Sequence, residues 1–485
     1  MAQLLFSHSY FYPFDPKQWT TAQPYPPYGT IYAAAFMRTL EHEVALFDTA
    51  LLDNITQLPL LLEQQRPQYF IIYDDGFNYL TKMCLTRMRE AAFDMIRLAK
   101  GHGCTVLVNS SDATDHYPEY LNKGADFVLL GEGEITLKEL IETLESQKTG
   151  ALPTLPGIAW KPDGVTPFKN IPRPVATDLD QFPDPAWDLI DVEAYRQIWM
   201  EKHGYFSLNM ATTRGCPYKC NWCAKPIYGN RYNSRSPKRV AGEIAFLMRT
   251  YNVTHFWMSD DIFGLKPRWV QEFNDAVKAQ QLSFSYKIQS RADLLLKEDN
   301  IEALWQSGLR QVWIGAESGS QKILDAMDKG TTVEQIAEAT RLLKAKGIEV
   351  CFFLQYGYLG ETRHDIDLTL QMVEMLLPHD IGISVSYPLP GTGFYEKVRN
   401  TMGGKQNWTD SDDLDLMYPS TFSPAFYKRL HRYTHKRFRF KQGLFALKNI
   451  FSGQKIPLRR IVLLLYYFPA AFIDGLKLQR LQRPN

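Results

Sequence analysis

Short apolar runs alternate with stretches of helical period along the first 400 residues, and few folds accept that pattern. Gln3–Ser7, Val44–Phe47, Tyr69–Tyr73, Thr105–Asn109 and Phe127–Leu130 read as strands. Turn residues such as Asp74-Asp75-Gly76 and Gly101-His102-Gly103 bound them, and stretches such as Thr81–Lys100 between them carry helical period. Strands alternating with helices imply a parallel sheet covered on both faces. Residues 1–145 are therefore expected to form a doubly wound α/β domain. Such sheets bind ligands at the strand carboxyl ends, so Ser7–Tyr12, Asp74–Asn78, Asn109–Thr114 and Gly131–Glu134 should share one edge.

Residues 146–200 read as a linker, punctuated by prolines 153, 156, 162, 167, 172, 174, 183 and 185. A second βα series follows over 201–400. Its strands are expected at Phe206–Thr212, His255–Ser259, Phe284–Gln289, Gln311–Ala316, Val350–Tyr356 and Ile381–Tyr387, with helices such as Pro237–Tyr251 and Thr332–Lys346 between them. Six repeats point to a barrel or partial barrel with its chemistry at the strand C-terminal ends. Residues 401–485 form a third, mainly helical module. It opens on an acidic patch (Asp410, Asp412, Asp413, Asp415) and turns basic. From residue 426 on, 14 Lys and Arg face one acid, Asp474, while the rest of the chain holds 40 basic and 52 acidic residues. The net charge of +1 hides that asymmetry and gives no general pull toward nucleic acid.

Six cysteines in 485 residues exclude a disulfide scaffold. Cys84, Cys104 and Cys351 are scattered. The other three sit in Arg214-Gly-Cys216-Pro-Tyr-Lys-Cys220-Asn-Trp-Cys223, just after the first strand of the second series. Thiolates converging from one short loop are the usual ligands of iron–sulfur clusters. Three of them leave one iron of a four-iron cube open for chemistry. A closed structural zinc site wants four ligands in paired CxxC geometry, and no histidine lies within ten residues of this loop.

CxxxCxxC with an aromatic before the last cysteine resembles the signature of radical S-adenosylmethionine (SAM) enzymes. The resemblance implies a 4Fe-4S cluster on Cys216, Cys220 and Cys223, with SAM chelated at the open iron. It also implies reductive cleavage of SAM to a 5′-deoxyadenosyl radical, with an electron from a flavodoxin- or ferredoxin-type reductant. The SAM contacts it implies are Trp222 in the loop, Ser259-Asp260-Asp261 after the second strand, Arg291 after the third, Glu317 after the fourth, and Gly357 and Gly360 after the fifth, where backbone would cradle the adenine. Leu359 stands where family members often have proline. Read without the family, Asp260 and Asp261 cap a helix and the glycines are plain turns.

The N-terminal domain resembles the Rossmann-like cobalamin-binding domain that precedes many radical SAM cores, in methyltransferases and in the anaerobic oxidative cyclase of Mg-protoporphyrin monomethyl ester. The residues that carry this are Pro27, Tyr28 and Gly29 at a helix entry, Ser110 and Ser111 after the fourth strand, and Gly131 after the fifth. The DxHxxG motif that supplies a cobalt ligand elsewhere is absent, and Asn109-Ser110-Ser111-Asp112 replaces a Gly-Gly-Pro-like turn. Glu41-His42-Glu43 stands where a glycine turn usually ends the first helix. The implied function is cobalamin-dependent methylation of an unactivated carbon in a lipophilic or secondary-metabolite substrate. Oxidative cyclisation or rearrangement is the alternative within the family, and a non-catalytic metal-binding or redox-sensing regulator is the alternative outside it. The basic tail interleaves cations with aromatics, which suits a lid over an apolar substrate or a helix on an anionic membrane surface better than nucleic acid. Its longest apolar run, Ile461–Ile473, is too short to span a bilayer. No secretory signal is visible, so the expected location is the cytoplasm or the inner face of its membrane.

Overall fold

The computed structural model describes residues 3–481 apart from 83, 84, 226, 298, 406, 410, 412 and 451–457. Cys84, Asp410 and Asp412 therefore lie outside the described residues. Contacts divide the chain into two compact units. The first comprises Met1–Pro217, Lys225–Tyr286 and Asn407–Asp413, and the second Tyr218–Ala224, Lys287–Gln406 and Leu414–Asn485.

In the first unit, strands β1 (Leu4–Ser7), β2 (Val44–Phe47), β3 (Tyr69–Tyr73), β4 (Thr105–Asn109) and β5 (Phe127–Leu129) pair in parallel in the order β2-β1-β3-β4-β5. Side chains alternate between faces with the strand period of two. Leu5, Phe70, Ile72, Val106 and Val108 pack under the helix Thr86–Gly101 through Ala92, Met95 and Ile96. Leu4, Phe6, Ile71 and Leu107 pack on the other face, against Ala33 and Met37 of the helix Tyr28–Arg38 and Leu137 and Leu140 of the helix Glu134–Glu145. The crossovers reverse direction between β1 and β3, and the loops after these two strands flank the crevice where such sheets take ligands. Glu41 holds a left-handed φ of 66° at the end of the first helix, the conformation a glycine would take there.

The proline-rich stretch is more than a connection. It adds β6 (Ile158–Trp160) and β7 (Phe168–Lys169), both antiparallel, to the β5 edge, and then the helix Val192–His203. Three- and two-residue strands are too short to show a period in sequence.

Eight further strands follow: β8 (Ser207–Met210), β9 (Thr213–Arg214), β10 (Asn233–Ser234), β11 (His255–Met258), β12 (Ser285–Ser290), β13 (Leu309–Glu317), β14 (Glu349–Tyr356) and β15 (Asp380–Val385). β9 and β10 form a two-stranded antiparallel ribbon, and the other six line up as β15-β14-β13-β12-β11-β8. Neighbours in the sheet are neighbours in sequence. Each crossover steps the same way, which is the winding of a barrel rather than of a doubly wound sheet. The result is an open half-barrel. Two of its helices start on capping boxes, Thr332 with Gln335 and Thr362 with Asp365.

The C-terminal part of the second unit is a pair of helices, Pro424–Ile450 and Leu458–Arg480. Asp474, the tail's one acid, is buried and accepts from Arg429 at 2.6 Å and Lys436 at 2.6 Å.

Buried ion pairs anchor the first unit. The Arg235 guanidinium meets the Glu243 carboxylate with both side chains out of solvent. Removing one partner of such a pair strands the other charge and costs about 3–5 kcal/mol. Glu243→Gln should lower the thermal midpoint by several degrees, whereas Glu338→Gln, which breaks the exposed pair with Arg341, should leave it nearly unchanged. Equal shifts in melting curves of the two variants would contradict the assignment.

Candidate active site

The cysteine loop leaves β9 through Gly215. Its φ of 77° is open to glycine, and a Cβ there would collide with the Arg231 carbonyl. Cys216 belongs to the first unit, Cys220 and Cys223 to the second. All three thiols are part-buried and outside any disulfide. Among the described residues no three His, Cys, Asp or Glu side chains gather closely enough to hold one metal ion.

In the second unit the loop is fixed by Asn221. Its side-chain amide donates to the Ala326 carbonyl at 2.8 Å and to Asp328 at 2.7 Å, and its Oδ1 accepts from the Tyr358 hydroxyl at 2.6 Å. The Cys220 sulfur lies 3.8 Å from Arg291 Nη1. Arg291 stacks on the Tyr218 ring at 3.7 Å and is oriented by Asp293 and Thr331, each at 2.9 Å. Lys329 is buried and pairs with Glu317 at 2.8 Å. Burial alone would lower the lysine pKa. Glu317 and then Cys220 outweigh it and hold the ammonium above its ordinary value. A thiolate needs cations close by, and two buried ones stand beside Cys220. The donor set fits an iron–sulfur cluster.

Glu317 sits where the pairing of β13 with β14 slips, between Gly315 and Glu317, and adopts a φ of 57°. A non-glycine residue in that region costs about 1–2 kcal/mol, and such strain collects at functional positions. Gly315 makes room for the pair, since a Cβ there would stand 2.6 Å from Lys329 Nζ. Beside the pair, the Trp222 indole N–H is buried with no acceptor among the described residues, its ring 6.0 Å from Lys329 Nζ. Trp222, Arg291, Glu317 and Cys220 thus lie in one cluster. Lys329 completes them. It is on a loop that follows no strand end, and Gly330 after it is the only local sign of a turn.

The other expected SAM contacts are placed differently. The Asp260 carboxylate accepts from the Thr212 backbone at 2.8 Å and the Thr213 hydroxyl at 2.7 Å, and burial pushes its pKa up to about 6. It holds the stem of the cysteine loop. Ser259 bonds back to the Met210 carbonyl through its N–H at 2.8 Å, and Asp261 pairs with Lys82 at 2.6 Å. Gly357 donates its N–H to Glu361 at 2.7 Å, and its carbonyl accepts from the hydroxyls of Tyr418 and Ser420. With both polar groups engaged, its backbone does not offer hydrogen bonds to an adenine. Gly360, with a φ of 77°, gives its carbonyl to Lys322.

In the first unit, Arg214 runs under the β5 loop and meets both Glu132 and, at 2.7 Å, Glu134. Tyr28 is fully buried, its hydroxyl 3.4 Å from Glu243, and Gly29 donates to Asp75 at 3.1 Å. Pro27 is the N-cap of that helix. These three pack the domain rather than face its edge. Ser110 caps the short helix after β4 by accepting from Ala113 N at 2.8 Å, Ser111 is buried in its first turn, and Gly131 turns the chain after β5 with a φ of 68°. His8, at the end of β1, is held by Asp48 at 2.8 Å. Asp75 Oδ2 and Glu134 Oε2 are buried acceptors with no partner among the described residues.

Residues 210–373 match the family model described as the radical SAM superfamily. The chain is 26% identical to an uncharacterized methyltransferase of Pyrococcus horikoshii over 92% of its own length and 95% of that protein's. It is 31% identical to the anaerobic magnesium-protoporphyrin IX monomethyl ester cyclase of a Synechocystis strain over 48% of this chain and 46% of the cyclase. The fold is that of OxsB, a cobalamin-dependent SAM radical enzyme, with a TM-score of 0.75 and 17% identity over 98% of this chain and 72% of OxsB. Residues 210–373 therefore carry a radical SAM domain, and the chain is similar to methyltransferase and cyclase enzymes. Its family implies a 4Fe-4S cluster, SAM, a small-molecule substrate and an external one-electron reductant.

Glu361 is fully buried. One oxygen accepts from Gly357, the other has no partner among the described residues, and burial pushes its pKa up to about 8 from 4.5. The buried neutral carboxyl contributes its full stability below pH 4.5 and loses it as the pH rises through about 8, a change on the order of 4 kcal/mol. Glu361→Gln keeps the bond to Gly357 and removes the titration. Thermal midpoints from pH 5 to pH 9 should fall less for the variant than for the wild type. Parallel curves would show that Glu361 does not carry the dependence.

Proposed function

We propose that the chain is a cobalamin-dependent radical SAM methyltransferase. On this reading Cys216, Cys220 and Cys223 hold the 4Fe-4S cluster, and the substrate is a lipophilic or secondary-metabolite molecule methylated at an unactivated carbon. The observation that carries it is the setting of Cys220, a loop thiol 3.8 Å from the buried Arg291 and within electrostatic reach of the buried Lys329, which pairs with the strained Glu317. The near full-length likeness to a methyltransferase favours methyl transfer. The cyclase likeness, over 48% of the chain, favours oxidative ring closure as the second reading.

When bound, the cluster and SAM supply an adenosyl radical and cobalamin supplies a methyl carrier. The chain's part is to bind and orient. On this reading Glu317 would accept from the SAM amino group, and Lys329, Arg291 and the Trp222 N–H would meet its carboxylate. Ser110, Ser111 and Gly131 would meet cobalamin, with the buried oxygens Asp75 Oδ2 and Glu134 Oε2 as acceptors for its amides. The histidine at the end of β1 is occupied by Asp48, so cobalt is expected to bind without a protein histidine.

Anaerobic reconstitution with iron, sulfide and hydroxocobalamin, followed by desalting and metal counts, tests this. About four irons and about one cobalt should stay per chain. Cys216→Ala, Cys220→Ala and Cys223→Ala should each lose iron and keep cobalt, Gly131→Trp should lose cobalt and keep iron, and Cys104→Ala and Cys351→Ala should keep both. Full iron in a loop variant would remove the cluster from these cysteines. A folded, cluster-loaded wild type without cobalt would remove cobalamin.

A further inference from the structure

The helix Leu458–Arg480 is apolar on two opposite faces. Leu464, Ala471 and Leu478, seven residues apart, form its buried side. On the other side Leu465, Phe468, Phe472 and Leu476 follow at spacings of three and four, with exposures of 76%, 59%, 63% and 45%. Tyr466 and Ile473, 58% and 48% exposed, widen the strip. At about 100° per residue it covers roughly 160° of the helix and runs about 16 Å along it. A helix packed on a protein surface carries polar residues there, and one that is apolar all round is covered on both sides.

Charge identifies the cover. Most described cations of this module are spent within the second unit, Arg429 and Lys436 on Asp474, Arg437 and Lys441 on Glu374, Arg439 on Asp380. Lys477 and Arg480, at one end of the strip, are exposed and have no carboxylate partner among the described residues. An apolar strip that ends in exposed cations matches a surface that is apolar below and anionic above. No helix among the described residues is long and apolar enough to cross a membrane.

We propose that this face of the C-terminal helix lies in the surface of an anionic phospholipid bilayer, with Leu465, Phe468, Phe472 and Leu476 among the acyl chains and Lys477 and Arg480 on the lipid phosphates. The inference is independent of the reaction proposed above, because neither cofactors nor turnover enter its test.

Flotation of the full chain with phosphatidylglycerol–phosphatidylcholine vesicles, against phosphatidylcholine alone, provides that test. Wild type should partition to the anionic vesicles and release with rising salt. Phe468→Glu/Phe472→Glu should weaken partition at least about tenfold, and Lys477→Ala/Arg480→Ala about 25-fold on anionic vesicles only. These side chains are exposed, so both variants should keep the wild-type circular dichroism spectrum. The emission of Phe472→Trp should shift to the blue on anionic vesicles. No partition by wild type, or equal partition by the variants, would overturn the proposal. So would a wild-type dimer that the double glutamate variant converts to monomer, which would assign the face to a second copy.

Discussion

A guanidinium with 4% of its surface exposed must be paired, and Arg214 is paired twice. Glu132 and Glu134 of the turn after β5 meet it from one side, and the rings of Tyr32, Phe182 and Tyr228 pack over it at 4.8–5.3 Å. Leaving any of these charges alone would cost several kcal/mol, so the arrangement holds as one piece. Arg214 is two residues before Cys216, and the residues just before it are held by Asp260. The stem of the cysteine loop thus borrows its rigidity from the first sheet. A loop that must present soft ligands without collapsing needs a stem of this kind.

The second unit supplies the charge. Cys220 lies 3.8 Å from an arginine fixed by Asp293 and Thr331 and within electrostatic reach of a lysine fixed by a strained glutamate. Each cation is held by protein groups before any ligand arrives, which is the preorganisation that makes electrostatic stabilisation effective. Above β14, Tyr418 and Ser420 close on the carbonyl of Gly357, and Leu416 and Tyr427 fill the space beside it. The start of the C-terminal module is therefore part of the barrel's mouth, and the polar backbone of that loop serves the fold.

The parallel strands of both sheets were legible because nearly all are four to nine residues long, bounded by turn residues and alternating with stretches of helical period. β6 and β7 were not, since they are too short to carry a period. The cysteine loop, Arg291 and Glu317 follow successive strands in the sequence, and the structure gathers Arg291, Glu317 and Trp222 around the second half of that loop. Asp260 and Gly357 share that order, yet the structure turns them inward, because order along the chain fixes which edge a residue occupies and not where its side chain points. Lys329 carries no motif, and Arg214 heads the cysteine stretch without being one of its ligands. They matter through partners 12 and about 80 residues away, and pairing at that range is invisible without the fold.

The central claim is that the cysteine loop holds a reducible cluster that SAM reaches directly. Electron paramagnetic resonance of the anaerobically reconstituted, dithionite-reduced chain, recorded before and after adding SAM, tests it most directly. The account predicts the signal of a reduced 4Fe-4S cluster whose g-values move when SAM binds, with no such signal in Cys220→Ala. A signal indifferent to SAM, or one that survives in Cys220→Ala, would contradict it.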